Sequence, residues 1–157
     1  MPEILTKYFG SLEYKEADAI QFPTGLPAFE EDTQFLLIEP AASAPIVFLQ
    51  SLRQSGLCFL TLPILAVDPQ YDLAITLEDL QSIGLDPGRQ PAIDEGLTCL
   101  AVIAVTESGA VNANLLAPIL INRRERRGLQ AIRVDSIYSH EYPVTALSAA
   151  NKEDICS

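Results

Sequence analysis

Short apolar runs bounded by turn formers recur over residues 4–9, 35–39, 46–51, 57–62, 97–106, 111–122 and 129–134, and each predicts a β-strand. Most connections between them are brief, which favours antiparallel neighbours over parallel crossovers. Gly10 separates the first run from Ser11-Leu12-Glu13-Tyr14 and marks a bulge or tight turn. Thr106-Glu107-Ser108-Gly109-Ala110 divides two strongly apolar runs, the pattern of a central β-hairpin. In the second arm Val111, Ala113, Leu115, Ala117, Ile119 and Ile121 share one parity, so that face is expected to be buried. The other parity reads Asn112, Asn114, Leu116, Pro118, Leu120 and Asn122, polar at both ends, and Pro118 places an edge or a bulge there. One helix is predicted over residues 77–83, with Thr76 as N-cap, Glu78 and Asp79 in the first turn, and Gly84 as the stop. Ile75 and Leu80 form its hydrophobic staple, and Leu77, Leu80 and Ile83 are expected to pack on the sheet. Residues 85–96 read as a turn-rich loop.

The pattern predicts a mostly β, single-domain antiparallel fold with one or two short helices over residues 1–145, and a small, polar C-terminal tail over 146–157. With 48% apolar and 20% charged residues the chain has the composition of a globular domain. Its longest apolar runs, 97–105 and 115–121, fall far short of the roughly 18 residues a membrane span needs. Met1-Pro2-Glu3-Ile4 lacks the basic and apolar regions of a secretory signal, so cytoplasmic residence with no membrane partner is expected. Ten basic residues against 21 acidic ones give a net charge of −11, which opposes direct nucleic acid binding and makes a basic protein the easier companion.

Candidate chemistry is sparse. Cys58, Cys99 and Cys156 are too few and too scattered for a disulfide framework or a metal knuckle, and the first two sit inside apolar runs. Carboxylate groups at Glu30-Glu31-Asp32, Glu78-Asp79, Asp94-Glu95 and Glu153-Asp154 all fall in turns or ends, without the spacing of a metal loop. The glycines are too dispersed to cradle a phosphate. The chain is therefore expected to have no catalytic, cofactor or metal site. A rival reading, a β-barrel enzyme or small-ligand binder, would use Tyr138, Ser139 and His140, the only histidine, with a turn carboxylate; it requires a concave pocket beside His140. Arg123, Arg124, Arg126 and Arg127 form the densest charge feature, open to three readings: a solvated hairpin turn, a contact for an acidic protein, or an RNA contact. Phe22-Pro23-Thr24-Gly25-Leu26-Pro27-Ala28-Phe29-Glu30 holds bulky apolar side chains on a proline-stiffened loop, suited either to closing the core or to meeting a partner.

In order along the chain stand Thr6-Lys7-Tyr8-Phe9-Gly10, Phe22-Pro23-Thr24-Gly25-Leu26-Pro27 with Phe29-Glu30, and Leu49-Gln50-Ser51. Asn114-Leu115-Leu116-Ala117-Pro118-Ile119 with Ile121-Asn122, Gly128 with Gln130, and Tyr138-Ser139 follow. Together these segments resemble the flagellar assembly factor FliW family. Ala28 stands where that family usually has glycine, Asn112 where threonine is common, and His140-Glu141-Tyr142-Pro143 replaces a more basic ending. The resemblance implies a β-barrel-like domain without catalysis that binds newly made flagellin. It also implies an alternative partner, the RNA-binding translational repressor CsrA, whose capture relieves repression of flagellin translation. The expected contact residues are Phe22, Leu26, Pro27 and Phe29 in the loop and Asn112, Asn114 and Asn122 on the central arm, although the asparagines suit backbone capping equally well.

Overall fold

The computed structural model describes residues 2–133, 135 and 137–144. The chain opens with a hairpin of β1 (Glu3–Thr6) and β2 (Gly10–Glu13), turning over residues 7–9. The strands β3 (Ile20–Gln21), β4 (Gln34–Ile38), β5 (Val47–Ser51) and β6 (Cys58–Pro63) follow. Two short helices come next, α1 (Ile64–Val67) and α2 (Leu77–Ser82). The remainder is β7 (Leu97–Val105), β8 (Val111–Ala113), β9 (Ile119–Asn122), β10 (Arg127–Gln130) and β11 (Tyr142–Pro143). Hydrogen bonding runs in the order β7-β6-β5-β4-β3-β10-β9 and returns from β9 to β7, closing a barrel of seven strands. β8 and β11 continue outward from β7 as a flap. All neighbours in the barrel are antiparallel except β3 and β10, which meet at the single rung Arg127 to Gln21.

Side chains alternate across these strands and supply two cores. Ile20, Phe22, Phe35, Leu49, Leu100, Ile119 and Ile121 fill the inside of the barrel. Leu62, Leu80, Ile83, Leu97, Cys99, Ile103 and Leu120 make a second core, between the wall and the helices that cover it. Both faces of β7 and β9 are therefore apolar, which explains why their sequences read as continuous hydrophobic runs.

The expected strand over 111–122 is two strands. Both halves pair with β7 on the same edge, Ala113 with Ile103 and Ile119 with Leu100, so the five residues 114–118 stand opposite only Ala101 and Val102. Three extra residues form a large bulge, and an odd insertion reverses the side-chain alternation. Val111 and Ala113 consequently face the outer core, whereas Ile119 and Ile121, of the same parity, face the inside of the barrel. The single buried face expected from parity is thus divided between two cores.

Thr76 caps α2 as expected, its Oγ1 accepting from the Asp79 amide at 3.1 Å. Leu80 and Ile83 are fully buried, but Leu77 is 63% exposed. Each three-residue step leaves a side chain about 60° short of a full helical turn, so Leu77 has rotated off the face that Leu80 and Ile83 share. The strand expected over 129–134 begins at Arg127 instead; beyond Gln130 the amides of Ala131 and Arg133 bond the carbonyls of Pro118 and Leu116 at the bulge. The tail over 146–157 lies outside the described residues.

Candidate functional site

The segment between β3 and β4 folds back into the open end of the barrel. Phe22 is fully buried, edge-on to Phe35 with ring centroids 5.1 Å apart, and Leu26 is 2% exposed. A two-residue turn with Pro27 and Ala28 at its tip is closed by the Phe29 amide donating to the Leu26 carbonyl at 2.7 Å. Pro27 and Ala28 are exposed, and Phe29 is partly buried against Phe59 at 5.5 Å. Gly25 fits because a Cβ there would meet Glu30 Cα at 2.5 Å, and its φ of 67° suits glycine. Gly128 leaves room for Phe22, whose Cζ would lie 2.7 Å from a Cβ at that position.

One buried acid holds the base of this loop. Asp32, 1% exposed, accepts from Ser51 Oγ at 2.7 Å, Gln54 Nε2 at 2.9 Å and Arg53 at 3.3 Å. Burial alone would raise its pKa, but those hydrogen bonds and the Arg53 charge outweigh it and hold the carboxyl below its ordinary range. Next to it, the buried Gln50 Nε2 reaches the carbonyls of Ser51, Gln54, Ser55 and Leu57, tying down the β5–β6 turn. Sequence reasoning did not single out Asp32. Its signal was an acid between the aromatic loop and an apolar strand, indistinguishable there from the solvated Glu30 and Glu31.

The three asparagines have separate positions. Asn114 Oδ1 accepts from the amides of Leu116 and Ala117 at 3.1 and 3.0 Å and shapes the bulge. Asn122 is 5% exposed; it donates to the Ile83 carbonyl at 2.7 Å and accepts from the Arg124 amide at 3.2 Å, joining the arginine turn to the end of α2. Asn112 is partly exposed on β8, opposite Ala104 and Pro143. Of the seven expected contact residues, Phe22, Leu26 and Asn122 are buried, and Pro27, Phe29, Asn112 and Asn114 retain accessible surface.

Arg133 is a second feature the strand pattern concealed. Only 3% of its side chain is exposed; it grips Asp135 with two bonds of 2.8 and 3.0 Å, donates to the Asp72 carbonyl, and lies over the rings of Tyr71 and Tyr138. Tyr71 in turn donates to the Leu115 carbonyl at 2.6 Å, so the cation secures the bulge and the segment after α1 together.

His140 has a 67% exposed side chain, 3.6 Å from Glu141. Ser139 Oγ accepts from the Glu141 amide at 2.9 Å, the role of a turn former. Burial pushes the Cys58 thiol up to about 11; burial and the nearby Asp94 charge push Cys99 up to about 12, so both stay protonated at neutral pH.

A groove of about 650 Å³ lies at the other end of the barrel, between the β1–β2 hairpin, the outer part of β4 and the β9–β10 turn. Leu12, Leu36 and Ile38 give it apolar surface, and Arg123 and Arg126 stand along one side. Arg123 donates to Thr98 Oγ1 at 2.7 Å and to the Asp94 carbonyl at 3.3 Å; Arg126 donates to the Asp18 carbonyl. The arginine cluster is therefore a hairpin turn whose first and third guanidinium groups are fixed in place, while Arg124 and Arg127 are exposed.

Comparison with known proteins gives one consistent result. A family model described as FliW protein matches residues 3–144. The chain is 34% identical over 152 residues to the flagellar assembly factor FliW of Syntrophomonas wolfei, covering 96% of this chain and 94% of that protein. It is 36% identical over 137 residues to the protein of the same name from Leptospira biflexa, covering 87% and 86%. A crystal structure of the flagellar assembly factor FliW superposes with a TM-score of 0.77 at 27% identity, over 90% of this chain and 96% of that one.

Proposed function

The chain belongs to the FliW family of flagellar assembly factors, and we propose that it acts as a non-catalytic cytoplasmic partner-switching regulator and chaperone. In this reading it binds newly made flagellin and, alternatively, the translational repressor CsrA. Free of flagellin it holds CsrA and relieves repression; flagellin, once abundant, takes it away. The observation that carries the reading is the extent of the family match, which runs from residue 3 to residue 144 and takes in the loop, the bulge and every barrel strand.

Physical features support it. The inside of the barrel is filled by Phe22, Phe35, Leu49, Leu100 and Ile121, so binding falls to the outer surface. A net charge of −11 favours docking beside a basic protein surface and raises the electrostatic cost of RNA approaching a partner so covered. We assign direct contact to Pro27, Phe29, Asn112 and Asn114; Phe22 and Leu26 anchor the loop that carries the first two, and Asn122 holds the arginine turn to the end of α2. Calorimetry with purified flagellin and CsrA at moderate salt tests the assignment. The expected result is binding to each, with flagellin displacing CsrA; binding to neither overturns it. Asn112→Ala, which removes no hydrogen bond among the described residues, should weaken binding while leaving the melting temperature unchanged.

A further inference from the structure

The barrel wall is incomplete where β3 ends. β3 and β4 pair at only two rungs, Ile20 with Phe35 and Gln21 with Gln34. The Leu52 amide bonds the Gln34 carbonyl at 3.0 Å, so alternation along an antiparallel strand directs the backbone groups of Gln34, Leu36 and Ile38 toward β5. Those of Phe35, Leu37 and Glu39 point the other way. In the register of β3, Leu37 would face Asp18, but Glu16–Asp18 is a 3-10 turn whose Asp18 amide bonds the Lys15 carbonyl at 2.8 Å. Among the described residues nothing takes the Leu37 amide or carbonyl, and this unpaired rung opens into the 650 Å³ groove. An unpaired strand edge is a template for another strand.

The charges along the groove say what kind of strand. Neither Arg123 nor Arg126 has a carboxylate partner among the described residues, in a chain whose acids outnumber its bases 21 to 10. Arg126 Nε is buried with no hydrogen-bond partner among the described residues, a costly state that an incoming acceptor would relieve. Glu13 and Glu39 line the side formed by β2 and β4. Their charges would repel a run of acids.

We propose that the edge of β4 at residues 37–39 is a strand-addition site for an extended segment of another protein. The segment carries one Asp or Glu set against Arg123 and Arg126, and apolar side chains that cover Leu12 and Ile38. Main-chain bonds to Leu37 and Glu39 supply affinity, and the guanidinium pair selects the register. This goes beyond the flagellin and CsrA reading and does not depend on which protein supplies the segment.

The test is to pan a random peptide library against the full chain and to measure synthetic copies of the enriched peptides by calorimetry and amide exchange. Expected are alternating apolar sequences with one conserved acid, protection of the Leu37 amide on binding, and a loss of about tenfold or more in affinity when Arg123→Glu and Arg126→Glu are combined. Leu37→Pro removes the amide that faces the groove while sparing the bonds to β5, and should abolish binding. Because Leu37 also packs on the inner core, exchange at the wild-type amide gives a readout independent of that variant's folding. The proposal is overturned if no peptide is enriched, if protection maps elsewhere, or if the arginine reversals leave affinity unchanged. It is equally overturned if the arginines instead control RNA retention, or if the edge is occupied by a second copy of the chain whose self-association Leu37→Pro removes.

Discussion

Ala28 carries a φ of 71° at the exposed tip of its loop, a conformation that costs a residue with a Cβ about 1 kcal/mol. Ala28→Gly should therefore stabilise the domain by about that amount, partly offset by the greater freedom glycine gives the unfolded chain, as read from urea unfolding midpoints at constant slope. Asp32 sits at the base of the same loop with a pKa below its ordinary 3.8. The depressed value means its contribution to stability is complete above the unfolded pKa and is lost as pH falls through the folded one. Asp32→Asn should be less stable than wild type at neutral pH by about 1–3 kcal/mol, and the gap should narrow in acid below pH 3.8. Urea melts at pH 7 and pH 3 would check it; a gap that stays constant would mean that the carboxylate's charge does not hold the loop. Single residues were the least legible level of the sequence. Phe22 and Leu26 have the composition of an interface anchor and of a core plug alike; both are buried, and for Phe22 it is the space left by Gly128 that admits the ring.

At the scale of elements, apolar runs bounded by turn formers correctly mark β4, β5, β6 and β7, because each is long enough to stand out from its turns. The same pattern does not reveal β3 or β11, two residues each, whose pairing is set by the chain around them. It also reads through the bulge, because three inserted residues with apolar side chains leave the hydrophobic run unbroken while exchanging its faces. The bulge is held by captured backbone: Asn114 takes two of its amides, Tyr71 and Gln130 donate to its carbonyls, and the Leu115 amide bonds Ser139. Asn114→Ala should cost about 1–2 kcal/mol, since two amides lose an acceptor, and Asn114→Asp, which keeps the acceptor, should recover most of it. Thermal unfolding of the three proteins side by side decides the matter; equal losses in both variants would show that the amide's own protons matter instead.

For the molecule as a whole, the acidic excess is distributed over a surface with few ion pairs, in which only Arg53, Arg133 and His140 meet carboxylates among the described residues. Self-repulsion should therefore lower stability at low ionic strength, and adding salt to a few tenths molar should raise the melting temperature by a few degrees. The two cores share the walls β7 and β9, whose opposite faces each core requires. Neither core can lose its packing while those strands stay registered for the other, so the chain should unfold in one cooperative step. Phe22→Ala opens the inner core and Leu80→Ala the outer one; each deletes a fully buried side chain and should cost about 3–5 and 2–5 kcal/mol respectively. Differential scanning calorimetry distinguishes coupling from independence. Coupled cores predict that either variant moves the whole transition to lower temperature with the calorimetric and van't Hoff enthalpies still equal. A second peak in Leu80→Ala, at the wild-type temperature, would instead show that the barrel stands without its outer cover.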